Sequence, residues 1–182
     1  MPLIKLGFNA SSFDFTNEAI KATKENLKKN SLKASIKKAN MYNKFPYNNK
    51  YFDFIICFQA IFHGRLEQIM LTLSEIKRIL KKDGMFFATF LRYEDIYFDK
   101  NKKLHYFWVY SGGKKFKSWL KQDKSQPHLF YYLSKDFEYM VPHYYFSKNE
   151  LKIILSQFFR DVKIKLVKKS DLSYFYLAYG KI

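Results

Sequence analysis

The residues of this chain that could do chemistry cluster at the ends of its expected strands. His63 stands five residues after the apolar run Phe54-Ile55-Ile56-Cys57-Phe58 and directly before Gly64. An imidazole there could serve as a base or orient a substrate, or it could simply be structural. Phe58 and Gln59 close the same run. Asp14 ends an earlier apolar segment, just ahead of Thr16. Its carboxylate can accept two hydrogen-bond donors, or it can do no more than lead into a helix. Asn40 and Met41 open a loop, where Asn is an ordinary turn residue. Arg92 and Glu94 follow a later strand and read equally as a solvated ion pair. His143, Tyr144 and Tyr145 precede Ser147, as substrate contacts or as core and surface aromatics. No metal-ligand set is assigned from the spacing.

The elements that must hold these groups are mostly plain. A weak strand over residues 8–15 gives way at Thr16, an N-cap, to a helix whose apolar face is Ala19, Ile20, Thr23 and Leu27, stopping near Asn30. A short strand follows over 34–38. Pro46 and the Asn48-Asn49 pair mark 40–50 as a loop. The run 54–58 has the composition of a strand buried on both faces, which belongs to a parallel sheet. Residues 65–82 keep helical spacing through Leu66, Ile69, Met70, Leu73, Ile76 and Leu80. Gly84 supplies the stop, and 85–90 forms a second buried strand. Residues 91–145 read as a partly helical insertion covering one end of the sheet, with aromatic clusters on either side of a basic stretch that begins at Gly112. Ser147-Lys148-Asn149-Glu150 is a capping box opening a helix. Residues 162–166 and 174–179 are strands that pair antiparallel. The alternation implies one domain, a three-layer Rossmann-like α/β sandwich with a mostly parallel sheet and an antiparallel C-terminal strand. Its parts would be a cofactor-binding half over 1–90, an insertion or substrate lid over 91–146, and a C-terminal helix and strand pair over 147–182.

Composition narrows the classes. The 182 residues carry 33 basic and 16 acidic side chains, a net charge of +17. Such charge admits a polyanion partner, either nucleic acid or an anionic membrane face. The lysines, however, are spread along the whole chain and accompany abundant Asn, Phe, Tyr and Ile. Compositional drift in a genome rich in A and T is the favoured reading, and no recognition motif for nucleic acid is present. The single cysteine, Cys57, excludes an internal disulfide and suggests a reducing, cytoplasmic setting. No apolar stretch is long enough to span a bilayer.

Several stretches together resemble the class I S-adenosylmethionine (SAM) methyltransferases that act on small molecules. They are Gly7-Phe8 with Phe13-Asp14-Phe15-Thr16 and Glu18-Ala19-Ile20; Asn40-Met41, Phe45-Pro46-Tyr47 and Phe52-Asp53-Phe54-Ile55 through His63; and Glu75-Ile76-Lys77-Arg78-Ile79-Leu80-Lys81-Lys82-Asp83-Gly84 running into Phe86-Phe87. Val141-Pro142-His143-Tyr144-Tyr145-Phe146-Ser147 adds a fourth. The resemblance covers nearly the whole chain and implies SAM as cofactor and a small-molecule methyl acceptor. It implies that Asp14 and the adjoining Phe15 bind the SAM ribose, and that Asn40 faces the adenine amino group where the family usually has an acid. Met41 would lie on the adenine face and Phe58 near the sulfonium. Gln59, His63 and Tyr144 would be on the substrate side.

One part of the family pattern has no counterpart. The glycine-rich turn should precede the ribose-binding acid by about 20 residues, yet Asp14 has only thirteen residues before it, with Gly7 the one glycine among them. Gly112-Gly113 stands in the wrong order. The expectation is a chain whose first strand is missing because the true start lies upstream. Leu3–Leu6 acting as a makeshift strand, or a partner chain donating the strand, are the alternatives. A noncatalytic methyltransferase-like subunit supporting a partner and a basic nucleic-acid-binding protein are the competing functions.

Overall fold

The computed structural model describes residues 2–111, 114–134, 138–170 and 173–182; Gly112 and Gly113, singled out above, lie outside them. The chain divides into two compact units, Met1–Asn48 and Asn49–Ile182.

In the first unit, α1 (Pro2–Lys5) precedes β1 (Ser11–Asp14), α2 (Asn17–Lys29) and β2 (Ser35–Lys38). The helical turn of α1 replaces the makeshift strand considered for Leu3–Leu6, with the Leu6 N–H closing onto the Pro2 and Leu3 carbonyls. Thr16 caps α2 as expected. Its Oγ1 accepts from the Ala19 N–H at 3.3 Å, and Asn30 ends the helix. β1 and β2 pair in parallel, with Asp14 opposite Lys38. Phe13 packs on Phe45 at 4.8 Å between centroids and reaches Tyr47 at 6.3 Å. The Tyr47 hydroxyl donates to the Ser12 carbonyl at 3.1 Å.

The second unit is built around one long strand. β3 (Phe52–Cys57) leads through α3 (Leu66–Ile79) to β4 (Leu80–Arg92). β4 carries parallel β3 on one edge and antiparallel β11 (Ser173–Lys181) on the other. The helix ends three residues earlier than its apolar spacing suggests, because Leu80 already pairs with Phe52. Gly84 is required by close approach: a Cβ there would lie 2.9 Å from the Lys81 carbonyl oxygen and 3.2 Å from that of Asp53. Ile69, Leu73, Ile76 and Ile79 form the buried face of α3, and Phe86, Ala88 and Phe90 are buried on β4. Phe86 stacks on Phe159 at 3.9 Å. Each such buried Ile, Leu or Phe side chain contributes roughly 1.5–3 kcal/mol over an exposed one.

Residues 91–145 depart from the helical expectation. β5 (Tyr97–Asp99), β6 (Leu104–Ser111), β7 (Lys114–Gln122), β8 (Leu129–Tyr132) and β9 (Pro142–Phe146) form successive antiparallel pairs. β9 returns to pair in parallel with the end of β4, Leu91 opposite Tyr145. Leu91 also faces Phe175 of β11, so β9 continues along the edge that β3 occupies lower down. The sheet is therefore not mostly parallel. Among the described strands parallel pairing is confined to β1–β2, β3–β4 and β4–β9, with one isolated parallel bridge between Tyr132 and Tyr139, and the other strand pairs are antiparallel. Aromatic residues favour pleated, half-buried surfaces, and here they pair across strands, as Tyr106 does with Trp119. Lysines between them lie over the rings: Lys115 is 4.1 Å from the Trp108 centroid and Lys117 is 4.3 Å from that of Tyr106. Leu120, Phe130, Tyr132 and Tyr145 form the buried cluster beneath.

α4 (Lys148–Ser156) packs Leu151, Ile154 and Leu155 inward. The antiparallel pair β10 (Arg160–Ser170) and β11 completes the unit, in the pairing expected from the alternation of 162–166. Among the described residues no helix is long and apolar enough to cross a membrane.

Candidate functional site

In the first unit the parallel register of β1 and β2 places the candidate cofactor residues at neighbouring strand ends. Asp14 ends β1, and Asn40 and Met41 lie just past the end of β2. Asp14 Oδ1 accepts from the Thr16 N–H at 2.8 Å and from the Thr16 hydroxyl at 3.0 Å. Both bonds fall on one oxygen, so the helix-entry role leaves Oδ2 outside the turn. Asn40 Oδ1 accepts from the Tyr42 N–H at 2.9 Å, which fixes the loop. An amide oxygen has two lone pairs and keeps one for a further donor. Phe15 projects beside them, 65% exposed.

In the second unit Phe58 and Gln59 follow β3. Gln59 has φ 57°, and its N–H donates to Thr89 Oγ1 on β4 at 2.9 Å. This bond ties the turn to the neighbouring strand and leaves Phe58 53% exposed. The chain then folds through Phe62 to His63, whose ring lies 4.5 Å from that of His143. The Phe62 carbonyl accepts from the Tyr144 N–H at 2.8 Å, tying this loop to β9.

His143 is buried on β9. Its Nδ1 lies 2.9 Å from the Val141 carbonyl oxygen and its Nε2 lies 2.7 Å from Glu138 Oε2. Tyr132 stacks flat on it at 4.0 Å and 7°. His63 Nδ1 is 4.0 Å from Glu138 Oε1. Burial lowers the pKa of His63, helped by neighbouring His143 and opposed by Glu138. Burial also lowers that of His143, against the Val141 carbonyl and Glu138. Both rings therefore favour the neutral form, in which a nitrogen lone pair is available.

Tyr144 is committed elsewhere. Its hydroxyl donates to Glu150 Oε1 at 2.7 Å, while His128 Nδ1 meets Glu150 Oε2 at 2.7 Å. Glu150 is thus the centre of a small network rather than the return half of a capping box, although Ser147 Oγ does accept from the Glu150 N–H at 3.3 Å. Burial and the Glu150 carboxylate push the Tyr144 phenol well above its ordinary value. Arg92 is also tied down, 2.8 Å from Asp95 and 3.4 Å from Glu94. The Tyr176 hydroxyl donates to Glu94 at 3.0 Å.

The structure thus brings Asp14, Asn40 and Met41 to one corner of the first unit. In the second unit Phe58, Gln59 and His63 share one loop, with His143 beside His63. Tyr144 contributes backbone to that loop but sends its hydroxyl away. Glu138 was not singled out from the sequence; the only signal was its spacing of five from His143.

Comparison with known proteins agrees with this architecture. Residues 2–88 match the family model described as a methyltransferase domain. No curated protein sequence matches the chain. Among solved structures, a Pyrococcus horikoshii OT3 protein is similar at TM-score 0.68 and 16% identity, over 99% of this chain and 75% of that one. A SAM-dependent methyltransferase from Methanosarcina mazei is similar at TM-score 0.67 and 16% identity, over 99% of this chain and 84% of that one. A Thermotoga maritima protein described as a SAM-dependent methyltransferase, possible histamine N-methyltransferase, matches at TM-score 0.57 and 15% identity, over 98% and 74%. The match over residues 2–88 is to a methyltransferase domain, and the solved structures show that the chain shares the fold of SAM-dependent methyltransferases.

Proposed function

We propose that the chain binds SAM and transfers its methyl group to a small-molecule acceptor. The observation that carries this reading is the corner of the first unit, where a parallel register sets Asp14 and Asn40 at adjacent strand ends. Asp14 keeps Oδ2 for a ribose hydroxyl while Oδ1 holds the turn at Thr16. Asn40 has one lone pair left for an adenine N–H, and Met41 and Phe15 supply apolar surface beside it. Phe58, exposed just after β3 of the second unit, is assigned to the cofactor by the family resemblance alone. Gln59 and His63 serve the acceptor, His63 as orienter or base with a neutral imidazole. Tyr144 shapes the acceptor side as a wall, since its hydroxyl is engaged by Glu150. The three-layer arrangement and a lid formed within 91–146 belong to the same reading.

SAM, when bound, supplies an electrophilic methyl carbon on a sulfonium. The chain's own contribution is placement of the acceptor, exclusion of water and removal of the acceptor proton. The test is methyl transfer from radiolabelled SAM to a panel of small amines, thiols and hydroxyl compounds, with RNA alongside. Label in the small-molecule fraction, reduced at least about tenfold by Asp14→Ala, is expected. Label in RNA alone would instead favour the nucleic-acid reading raised by the +17 charge. A noncatalytic subunit supporting a partner chain is a second reading. It is favoured by the engagement of both Asp14 Oδ1 and Asn40 Oδ1 in local turns.

A further inference from the structure

We propose that His63, Glu138 and His143 form a binding site for a divalent transition-metal ion of the zinc type. Three segments of the second unit supply the donors: the loop after β3, the approach to β9, and β9 itself. One ligand atom from each lies within 4.8 Å of the others. Glu138 stands between the two imidazoles, its Oε2 at 2.7 Å from His143 Nε2 and its Oε1 at 4.0 Å from His63 Nδ1.

The hydrogen-bond bookkeeping at His143 asks for a positive particle. A carbonyl oxygen only accepts, so the 2.9 Å contact to Val141 places a proton on Nδ1. In the neutral ring Nε2 then holds an in-plane lone pair, and it points at a carboxylate oxygen that is also an acceptor. Two acceptors at 2.7 Å need a proton or a cation between or beside them. An imidazole that donates Nδ1–H to a backbone carbonyl and offers Nε2 is the usual orientation of a metal-ligating histidine.

The surroundings hold the imidazoles and free the carboxylate. His143 is 1% exposed and lies flat against Tyr132. His63 rests on Phe62 at 4.6 Å. Glu138 is exposed at φ 44°, outside the regular strands. Ligand bonds of about 2.0–2.1 Å in a tetrahedral site set neighbouring donors about 3.3 Å apart. The three donor atoms lie within 4.8 Å of one another, so closing the set takes movements of about 1.5 Å or less, shared between solvent-facing Glu138 and half-buried His63.

Two imidazoles and one carboxylate select zinc or a neighbouring first-row metal over magnesium and calcium, which prefer all-oxygen shells. Three protein ligands leave at least one position for water or for an acceptor oxygen or nitrogen. With the metal bound, His63 is a ligand and no longer a free base. The inference does not rest on methyl transfer: metal could bind a chain that transfers nothing, and SAM could bind without metal.

The test is calorimetric titration of chelator-stripped full chain with zinc chloride, with cobalt chloride absorption as a second readout of coordination. The expected result is one saturable zinc per chain and ligand-field bands with cobalt. His63→Ala and Glu138→Gln should each weaken zinc by at least about a hundredfold, the upper end of what mere outer-shell partners cost. His105→Ala should leave binding unchanged, and magnesium chloride should give no saturable heat. These variants sit at positions that are not fully buried, and circular dichroism would establish that each is folded. No saturable zinc binding would overturn the proposal and make the 2.7 Å contact a shared-proton His–Glu pair. Equal binding by wild type and both folded variants would overturn it as well, by placing the zinc elsewhere.

Discussion

Removing the Tyr144 hydroxyl should weaken the fold measurably. In Tyr144→Phe the ring stays in its buried site, and only the 2.7 Å bond to Glu150 Oε1 is lost. A hydrogen bond to a charged group contributes roughly 1.5–3 kcal/mol. Glu150 is half-buried, so water can replace part of the lost bond, and the low end, about 1.5 kcal/mol, is expected. With a urea dependence of about 2 kcal/mol per molar, the unfolding midpoint should fall by roughly 0.7 M. Glu150→Gln removes the charge that both Tyr144 and His128 engage. The double variant should therefore lose less than the sum of the singles. Burial pushes the Glu150 carboxyl up, but the hydrogen bonds from His128 and Tyr144 outweigh it and leave the folded pKa below the ordinary 4.5. A depressed folded value means that the contribution is complete above the unfolded value and disappears as pH falls through the folded one. The Tyr144→Phe difference should thus be steady near neutrality and shrink below about pH 4. A midpoint unchanged from wild type at pH 7, or a difference that grows in acid, would refute the network.

Other perturbations follow from single contacts. Gly84→Ala should cost about 2 kcal/mol in thermal or urea unfolding, because its Cβ meets two backbone oxygens that cannot swing away. Phe86→Ala should cost about 4 kcal/mol by the same measurement, since the ring is fully buried and stacked on Phe159. The Cys57 thiol, half-buried and pushed up by burial to about 11 despite a backbone hydrogen bond, should react with a disulfide reagent at pH 7.5 much more slowly than the unfolded chain's thiol.

What the sequence reveals depends on how local the signal is. Thr16 with Ala19 and Asn30 define α2 almost to the residue, because caps are set by neighbours three or four positions away. The apolar run at β3 and the antiparallel pair β10–β11 are equally readable as strands, although β3 is not buried on both faces, with Ile56 42% exposed. The segment 91–145 is not. Its aromatics are too dense for either helical or strand periodicity to stand out, and pairing between distant strands decides the outcome. The corner at Asp14 and Asn40 follows from a short-range βαβ pattern. Glu138 beside His63 does not, because tertiary packing alone joins them. Tyr144 was legible as an aromatic just before the capping box at Ser147, but the direction of its hydroxyl depends on Glu150 in the next helix.

The central claim is that the corner of the first unit binds the nucleoside of SAM. Calorimetric titration of the full chain with SAM, repeated for Asp14→Ala, tests it most directly. Saturable one-to-one binding that Asp14→Ala weakens by at least about tenfold, through loss of charged hydrogen bonds, is the predicted result. No heat at millimolar SAM, or an Asp14→Ala variant that binds as well as wild type, would contradict it.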